Sequence, residues 1–240
     1  MSRANTKRFF DASGFEPADG GFAVILYGRR VKTPGGVPLI LPREGLASAV
    51  AVEWAAQGET IRPDTMPITG FCCTAIDTVA SGRNSIIDQL VKYGESDLLC
   101  YRAEAPEDLR NHQQSHWQPL LDWAAQTHGA ELVVTTGVVP VGQPPEALAA
   151  LRLAVESQDD FHLTVLASVT QAAGSLVIGL CVIGGRLDAD AAFETSQLDE
   201  TWQKDKWGED SEAAKQHAAL RGEMRDAVRF LVLVRGGQGS

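Results

Sequence analysis

Residues 22–54 read FAVILYGRRVKTPGGVPLILPREGLASAVAVEW, and the hydrophobic pattern changes within this stretch. Two apolar runs, 22–27 and 37–41, flank a turn rich in glycine and proline, which is typical of an antiparallel hairpin. After residue 42 the apolar residues recur instead at the spacing of one helical face. These residues are Leu46, Ala49, Val50 and Trp54. The sequence therefore predicts strands before residue 43 and helices after it.

The helical pattern continues to the end of the chain, apart from one candidate strand within residues 131–136. The later helices are predicted at about 66–81, 83–94, 106–127, 144–157, 159–172, 174–184, 188–206 and 211–234. The predicted fold class is α+β. It comprises a small β-rich N-terminal domain over residues 1–42 and a larger all-helical C-terminal domain over residues 43–240.

Composition and charge limit the function classes. The 240 residues include 44% hydrophobic and 22% charged residues, as in globular proteins, and the net charge is −10. An acidic chain has no electrostatic footprint for nucleic acid or for an anionic membrane surface. No apolar run approaches the roughly 20 residues that span a bilayer, and the first ten residues lack the apolar stretch of a signal peptide. The four cysteines form no Cys-x-x-Cys pair, so we expect a reduced, cytoplasmic protein.

A search for catalytic motifs predicts no catalytic residue, metal site or cofactor. There is no P-loop, dinucleotide fingerprint or nucleophile elbow. His112 and His116 are four residues apart on a predicted helix and could share a metal, but Gln113 stands where a zincin needs glutamate. A small carboxylate- or metal-dependent hydrolase remains the alternative function, because scattered carboxylates leave no motif.

The segment 188–212 carries nine acidic and two basic residues, a net charge of −7, and yet contains four large apolar side chains. As one helix it would place Leu198 and Trp202 on one stripe, and Phe193, Glu200 and Trp207 on the opposite stripe. We expect the first stripe to pack inward and the second to be presented to a partner. Aromatic residues ringed by polar ones are typical of interface hot spots.

The candidate partner-binding residues are therefore concentrated in this segment. They are Glu200, Phe193, Trp207, Asp199, Trp202, Asp210 and, outside the segment, Trp54. Two simpler interpretations stay open. Glu200 and Lys204 could form an ordinary surface pair of about 0.3–0.5 kcal/mol. Trp54 shares a helical face with Leu46 and Val50 and could instead anchor the core.

The last predicted helix has a heptad-like apolar seam and a separate basic row. The seam residues are Ala213, His217, Leu220, Met224, Ala227, Leu231 and Val234. Either an ordinary core-facing helix or a homo-oligomeric scaffold would explain the seam. The basic row, which consists of Arg221, Arg225 and Arg229, could be solvated or could dock onto the acidic segment.

Many short motifs follow one another in the order of a known family. They include RFF at 8–10, KTP at 32–34, VEW at 52–54, MPIT at 66–69, TAID at 74–77, DLLCYRA at 97–103, WQPLL at 117–121, GSL at 174–176, LDE at 198–200 and WG at 207–208. From about residue 8 to about residue 235, the chain resembles the ATP synthase assembly chaperone that acts on the α subunit of the catalytic head in mitochondria and alphaproteobacteria. Trp202 stands where that family often has tyrosine.

The resemblance implies a chaperone rather than an enzyme. Such a protein would bind the free α subunit, shield its subunit-contact surface from aggregation, and release it on assembly with the β subunit. The family's β-rich N-terminal domain and helical C-terminal domain agree with the predicted fold. The N-terminal residues carry no transit sequence, which points to the bacterial form. We expect a monomer when the client is absent, with no nucleic-acid or membrane partner.

Overall fold

The structure is a computed structural model that describes residues 7–137, 139–208 and 211–237, with only the backbone described for Asp205 and Trp207. The strands are β1 (Ser13–Ala18), β2 (Gly21–Leu26), β3 (Arg29–Arg30), β4 (Ile40–Leu41), β5 (Tyr101–Arg102) and β6 (Thr135–Thr136). The helices are α1 (Glu44–Ala55), α2 (Pro67–Cys73), α3 (Ala80–Glu95), α4 (Glu107–His128), α5 (Pro145–Glu156), α6 (Asp160–Ala173), α7 (Leu176–Ile183), α8 (Ala189–Ser196), α9 (Leu198–Trp207) and α10 (Ser211–Arg235). The predicted α+β class is confirmed.

Packing divides the chain into two compact units. The first is built from the described residues up to Arg83 together with those from Arg229 onward, and the second from Asn84–Val228. The predicted boundary after residue 42 falls inside the first unit, because α1 packs on β1 and β2. The sequence-based division thus separates strands from helices, whereas packing groups the N-terminal strands with the first helices.

In the first unit, β2 pairs with more than the predicted partner. It pairs antiparallel with β1 along its whole length, from Ser13↔Leu26 to Ala18↔Gly21, and with β4 only at Phe22↔Leu41 and Ala23↔Ile40. The turn between β1 and β2 is the Asp19-Gly20 pair, a hairpin signal that the sequence analysis missed, and Gly20 has a φ of 86°.

A buried carboxylate supports the helical part of the first unit. Glu53 is 8% exposed, and its two oxygens accept hydrogen bonds from the Ile68 amide at 2.8 Å and from the Thr69 amide and hydroxyl, each at 2.7 Å. These donors lie at the start of α2, where backbone N–H groups have no partner within the helix. Burial raises the pKa of Glu53, while the Thr69 and Ile68 donors oppose this rise.

The second unit is built around α7, whose eight residues are all buried. A helix that is apolar on every side belongs in a core. Asp97, fully buried, accepts hydrogen bonds from the Ser175 hydroxyl at 2.7 Å and from the amides of Leu99 and Val177, each at 3.1 Å. Burial raises the pKa of Asp97 to about 6. The side chain thereby fixes the segment before β5 to the start of α7.

The candidate strand within residues 131–136 is present as β6, which pairs in parallel with β5 (Tyr101↔Thr135 and Arg102↔Thr136). This pair places Arg102 in the interior of the second unit. No helix in the described part of the chain has both the length and the hydropathy needed to cross a bilayer.

Candidate partner-binding site

The acidic segment is two helices rather than one. Asp188 starts α8 by accepting a hydrogen bond from the Ala191 amide at 2.8 Å, and the backbone leaves the helical path at Gln197, where φ is −102° and ψ is 23°. The Ser196 hydroxyl donates to the Phe193 carbonyl at 2.8 Å, the kind of local side-chain bond that competes with a helix. The prediction of one helix over residues 188–206 is therefore wrong. The proposed stripe through Phe193, Glu200 and Trp207 is broken.

Phe193 is buried rather than presented. It is 8% exposed, its ring meets His217 edge-on at 6.2 Å between centroids, and the Arg221 guanidinium lies 5.3 Å from its centroid. The expectation that Phe193 lies on an exposed stripe is wrong, because the break at Gln197 uncouples it from Glu200. Leu198, on the stripe expected to pack inward, is buried at 4% exposure.

The acidic residues of α8 are paired within the chain. The Arg221 Nε atom lies 2.7 Å from Asp190 Oδ1, and its Nη2 atom lies 3.3 Å from Glu194 Oε1. Arg225 Nη2 lies 2.9 Å from the same Asp190 oxygen. The hydrogen bond from Arg221 is the main reason that the pKa of Asp190 is lowered. Docking of the basic row onto the acidic segment is therefore observed for Arg221 and Arg225.

Two side chains of α4 hold the chain on both sides of the break. Gln113 Nε2 donates to Asp199 Oδ1 at 2.8 Å, and Trp117 Nε1 donates to the Thr195 carbonyl at 3.0 Å. Gln113 and Trp117 are four residues apart, so they project from one face of α4. Both are buried, at 1% exposure each. The start of α9 is thus tied to the interior of the unit.

Glu200 differs from the other described carboxylates of α8 and α9. It is exposed, and no described side chain forms an ion pair or a hydrogen bond with it, so the alternative surface pair with Lys204 is not formed. The neighbouring Trp202 is partly buried, with the Lys206 ammonium 5.1 Å from its ring centroid. That ammonium also lies 3.5 Å from Asp108 Oδ2 on α4. The side chain of Trp207 and the whole of Asp210 lie outside the described residues.

A groove of about 990 Å³ runs beside α9 and is lined by α4, α8, α9 and α10. Its apolar lining residues include Phe193, Leu198 and Trp202, and its charged lining residues are of both signs. The charged residues are Asp108, Glu194, Lys204 and Arg221. A lining that combines apolar and charged residues is typical of a protein-binding surface.

The two histidines of α4 also line this groove. Their rings lie 4.2 Å apart, and His116 Nδ1 is 2.9 Å from the His112 carbonyl oxygen. Across the ranges that the structure describes, no three residues of the types His, Cys, Asp or Glu are grouped to hold a metal ion. The arrangement offers contact surface and charge rather than a reactive centre.

Trp54, the remaining candidate, belongs to the first unit. It is partly buried and packs edge-on against Phe10, with 5.6 Å between ring centroids. Ile61 and Met66 belong to the same cluster. These contacts agree with the alternative interpretation, in which Trp54 anchors the core. Its role in binding a partner remains a prediction.

Comparison with known proteins identifies the family. The model of the ATP12 chaperone protein family matches residues 7–125. The crystal structure of Atp12 from Paracoccus denitrificans is 45% identical in sequence and matches with a TM-score of 0.91, covering 95% of this chain and 98% of that chain. The chain belongs to the ATP12 chaperone family.

Two further matches support this assignment. A mutant of P. denitrificans Atp12p matches with the same identity, coverage and TM-score. The mitochondrial protein atp12 of Schizosaccharomyces pombe is 24% identical over 220 residues, which are 87% of this chain and 76% of that protein. The resemblance to assembly chaperones of ATP synthase is confirmed, and the ATP12 family is one of chaperones rather than enzymes.

Two residues that organise this ATP12 chaperone around α9 were not among the predicted site residues. In the sequence, Gln113 stands out only as the residue that breaks a zincin motif, and Trp117 only as part of a family motif. Their spacing of four residues, next to the predicted helix start at 106, was a signal that they share a face. Nothing in the sequence indicated that this face would meet Thr195 and Asp199.

Proposed function

We propose that this ATP12 chaperone binds the free α subunit of ATP synthase, shields the surface that a neighbouring subunit later covers, and releases the α subunit when the β subunit takes its place. One observation carries the choice of surface. Glu200 is an exposed carboxylate without a partner among the described side chains, on a helix whose start is fixed by Gln113. A rigid helix presents such a charge at little cost in conformational entropy.

The groove lined by Thr201 and Trp202, which follow Glu200 on α9, supplies the apolar part of the contact. Trp202 lines it and is partly exposed, so a client side chain that enters the groove would cover apolar surface of this ring. Aromatic side chains at the centre of an interface contribute most of its binding energy. The Glu200 carboxylate would pair with an arginine or lysine of the client, and partial removal of water on binding would strengthen this attraction.

Release follows from competition. The α subunit leaves the chaperone when the β subunit binds the same surface more tightly, and no nucleotide hydrolysis is needed. We also propose that the free chaperone is a cytoplasmic monomer, because a homodimer that buried α9 would occupy the surface meant for the client. Sedimentation of the free protein tests the monomer. A tight dimer that covers α9 would contradict it.

Charge reversal at Glu200 tests the proposed contact. We expect Glu200→Lys to weaken binding of the α subunit at least tenfold, which is about 1.4 kcal/mol, and to leave the melting temperature unchanged. Glu200→Ala should weaken binding less, because it removes the attraction without adding repulsion. The measurement combines thermal unfolding with suppression of α-subunit aggregation by the purified chaperone.

Glu223→Lys is a matched control, because Glu223 is likewise an exposed glutamate that does not line the groove, and it lies on α10 rather than on α9. It should protect the client as well as the wild type does. If Glu200→Lys also protects the α subunit fully, Glu200 is a solvated surface residue and the proposed contact is wrong. If the wild-type chaperone neither retains the α subunit nor delays its aggregation, the proposed client is wrong.

A further inference from the structure

Arg102 is a buried cation with unused donors. It is 4% exposed, one edge of its guanidinium donates through Nη1 to the Leu99 carbonyl, and its Cζ atom lies 5.2 Å from the Trp117 ring centroid. Its Nε and Nη2 atoms have no hydrogen-bond partner among the described residues. Burying a charged group without compensation costs several kcal/mol. A compensating negative charge is therefore required nearby.

Asp199 is a carboxylate whose attraction raises the pKa of Arg102 against the effect of burial, and Gln113 holds it next to the residue that follows Arg102. Arginine stays protonated in proteins, although burial lowers the pKa of Arg102. Two acidic groups act on the guanidinium, Cys100 and Asp199. Burial raises the pKa of the Cys100 thiol to about 12, so this thiol is neutral at pH 7. Of these two groups, Asp199 is therefore the carboxylate that acts on Arg102.

Gln113 fixes where this carboxylate stands. Its Oε1 atom accepts a hydrogen bond from the Ala103 amide, the residue after Arg102, and its Nε2 atom donates to Asp199 Oδ1, both at 2.8 Å. Since the Ala103 amide can only donate, the Gln113 side-chain amide has one orientation. Asp199 Oδ1 is thereby bridged to the backbone beside the buried guanidinium.

We infer that Arg102, Gln113 and Asp199 form an internal anchor for the start of α9, and that Asp199 acts by orienting this helix rather than by contacting the client. Asp199 and Glu200 are successive residues of a helix, so their side chains point about 100° apart. With Asp199 held by Gln113, Glu200 points away from α4 and is exposed. Arg102 and Gln113 are positioning residues for the client contact of Glu200, a step that rests on the proposed function.

A double-mutant cycle on the full-length chaperone tests the anchor without any client. We expect Asp199→Asn to lower the folding equilibrium constant at least tenfold, because it leaves the Arg102 charge uncompensated. In the background of Arg102→Met, which removes that charge and keeps an unbranched side chain, the same change should cost less than threefold. The measurement is urea unfolding of the four proteins. Glu200→Gln, as the control, should show no coupling to Arg102→Met.

Client binding then separates an anchor from a direct contact. Loss of a charge that touches the client reduces the salt dependence of binding. Loss of a charge that only orients the helix weakens binding and leaves its salt dependence unchanged. Asp199→Asn should therefore weaken α-subunit binding with the salt dependence of the wild type, and Glu200→Gln should weaken binding and flatten its salt dependence.

The results of these two experiments decide separately on the anchor and on the proposed client. The anchor is wrong if the effects of Asp199→Asn and Arg102→Met simply add, or if Asp199→Asn unfolds like the wild type. It is also wrong if Asp199→Asn flattens the salt dependence, because Asp199 would then touch the client. If Arg102→Met does not fold, Asp199→Asn alone still decides. The anchor is wrong if this variant unfolds like the wild type. The anchor is supported if the folding equilibrium constant falls tenfold in Asp199→Asn and stays at the wild-type value in Asp199→Glu, which keeps the charge. Energetic coupling in a chaperone that does not bind the α subunit would keep the anchor and reject the proposed client.

Discussion

In α8, the carboxylates of Asp190 and Glu194 face Arg221 of α10, whereas in α9 Glu200 faces no cation among the described side chains. The two helices are separated by one residue, Gln197, and both carry several acids. Their difference lies in what packs against them. Arginines of α10 pair with the carboxylates of α8, whereas α4 holds the start of α9 and Glu200 stays exposed. A cluster of acidic residues is therefore not one functional unit, and each carboxylate has to be judged by its neighbours.

The aromatic residues follow the same division. Phe193 of α8 is 8% exposed between His217 and Arg221, whereas Trp202 of α9 is partly exposed at the groove. The structure thus separates a core position from a surface position, although both were candidates for the same interface. The following substitutions test this division.

The largest effect is expected from Phe193→Ala. Removing a buried phenylalanine costs about 3–5 kcal/mol, so the free energy of unfolding should fall by that amount. Binding of the α subunit by the remaining folded protein should change much less than with Trp202→Ala, because Phe193 is 8% exposed and offers the groove little surface. Chemical unfolding and an aggregation assay well below the melting temperature measure the two quantities. If Phe193→Ala unfolds like the wild type and fails to hold the α subunit, Phe193 is a contact residue for the client rather than a core residue.

Trp202→Ala should show the opposite pattern, with a smaller change in stability and a roughly tenfold loss of client binding. Trp202→Phe keeps an aromatic ring in the groove and should retain most of the affinity. Isothermal titration with the α subunit, together with a melting curve for each variant, provides the comparison. If both variants bind like the wild type, the groove does not contribute to the contact.

The smallest effect is expected from the ion pairs of α8. The pKa of Asp190 is lowered by its bond to Arg221, so the paired carboxylate stabilises the fold above the usual aspartate pKa of about 3.9. This stabilisation is lost as pH falls through the lowered value in the folded protein. Asp190→Asn should therefore melt slightly below the wild type at pH 7, and the difference should disappear at strongly acidic pH.

The matched control for Asp190 is Glu212, whose oxygen lies 3.8 Å from the Lys215 ammonium, with side chains 67% and 76% exposed. Glu212→Gln should leave the melting temperature unchanged at either pH, since exposed pairs of this kind contribute little. An equal effect of both substitutions would mean that docking on α10 gives α8 no special stabilisation.

The apolar seam of the last helix shows what a periodic pattern can and cannot predict about burial. Met224, Ala227, Leu231 and Val234 are buried, as expected of a core-facing helix, whereas Ala213, His217 and Leu220 are only partly buried. The buried positions are occupied by packing within one chain and do not offer a seam to a second copy. The sequence alone left both interpretations open, because the spacing is the same in either case.

The sequence by itself determined the elements and the family. Helical and strand periods come from neighbours a few residues apart, so the pattern around residue 42 was enough for the α+β class. The ordered motifs were enough for the chaperone family. The acidic segment was also visible, because composition is a local property.

Only the tertiary structure decided what the acidic segment does. Gln113 and Asp199 are 86 residues apart, and Arg221 and Asp190 are 31 residues apart. No periodicity connects such pairs. Which carboxylate is neutralised, held or left in solvent depends on which helix faces meet, and this is settled when the apolar stripes are buried. Glu200 can be recognised as an exposed carboxylate only when the contacts of the neighbouring acidic residues are known.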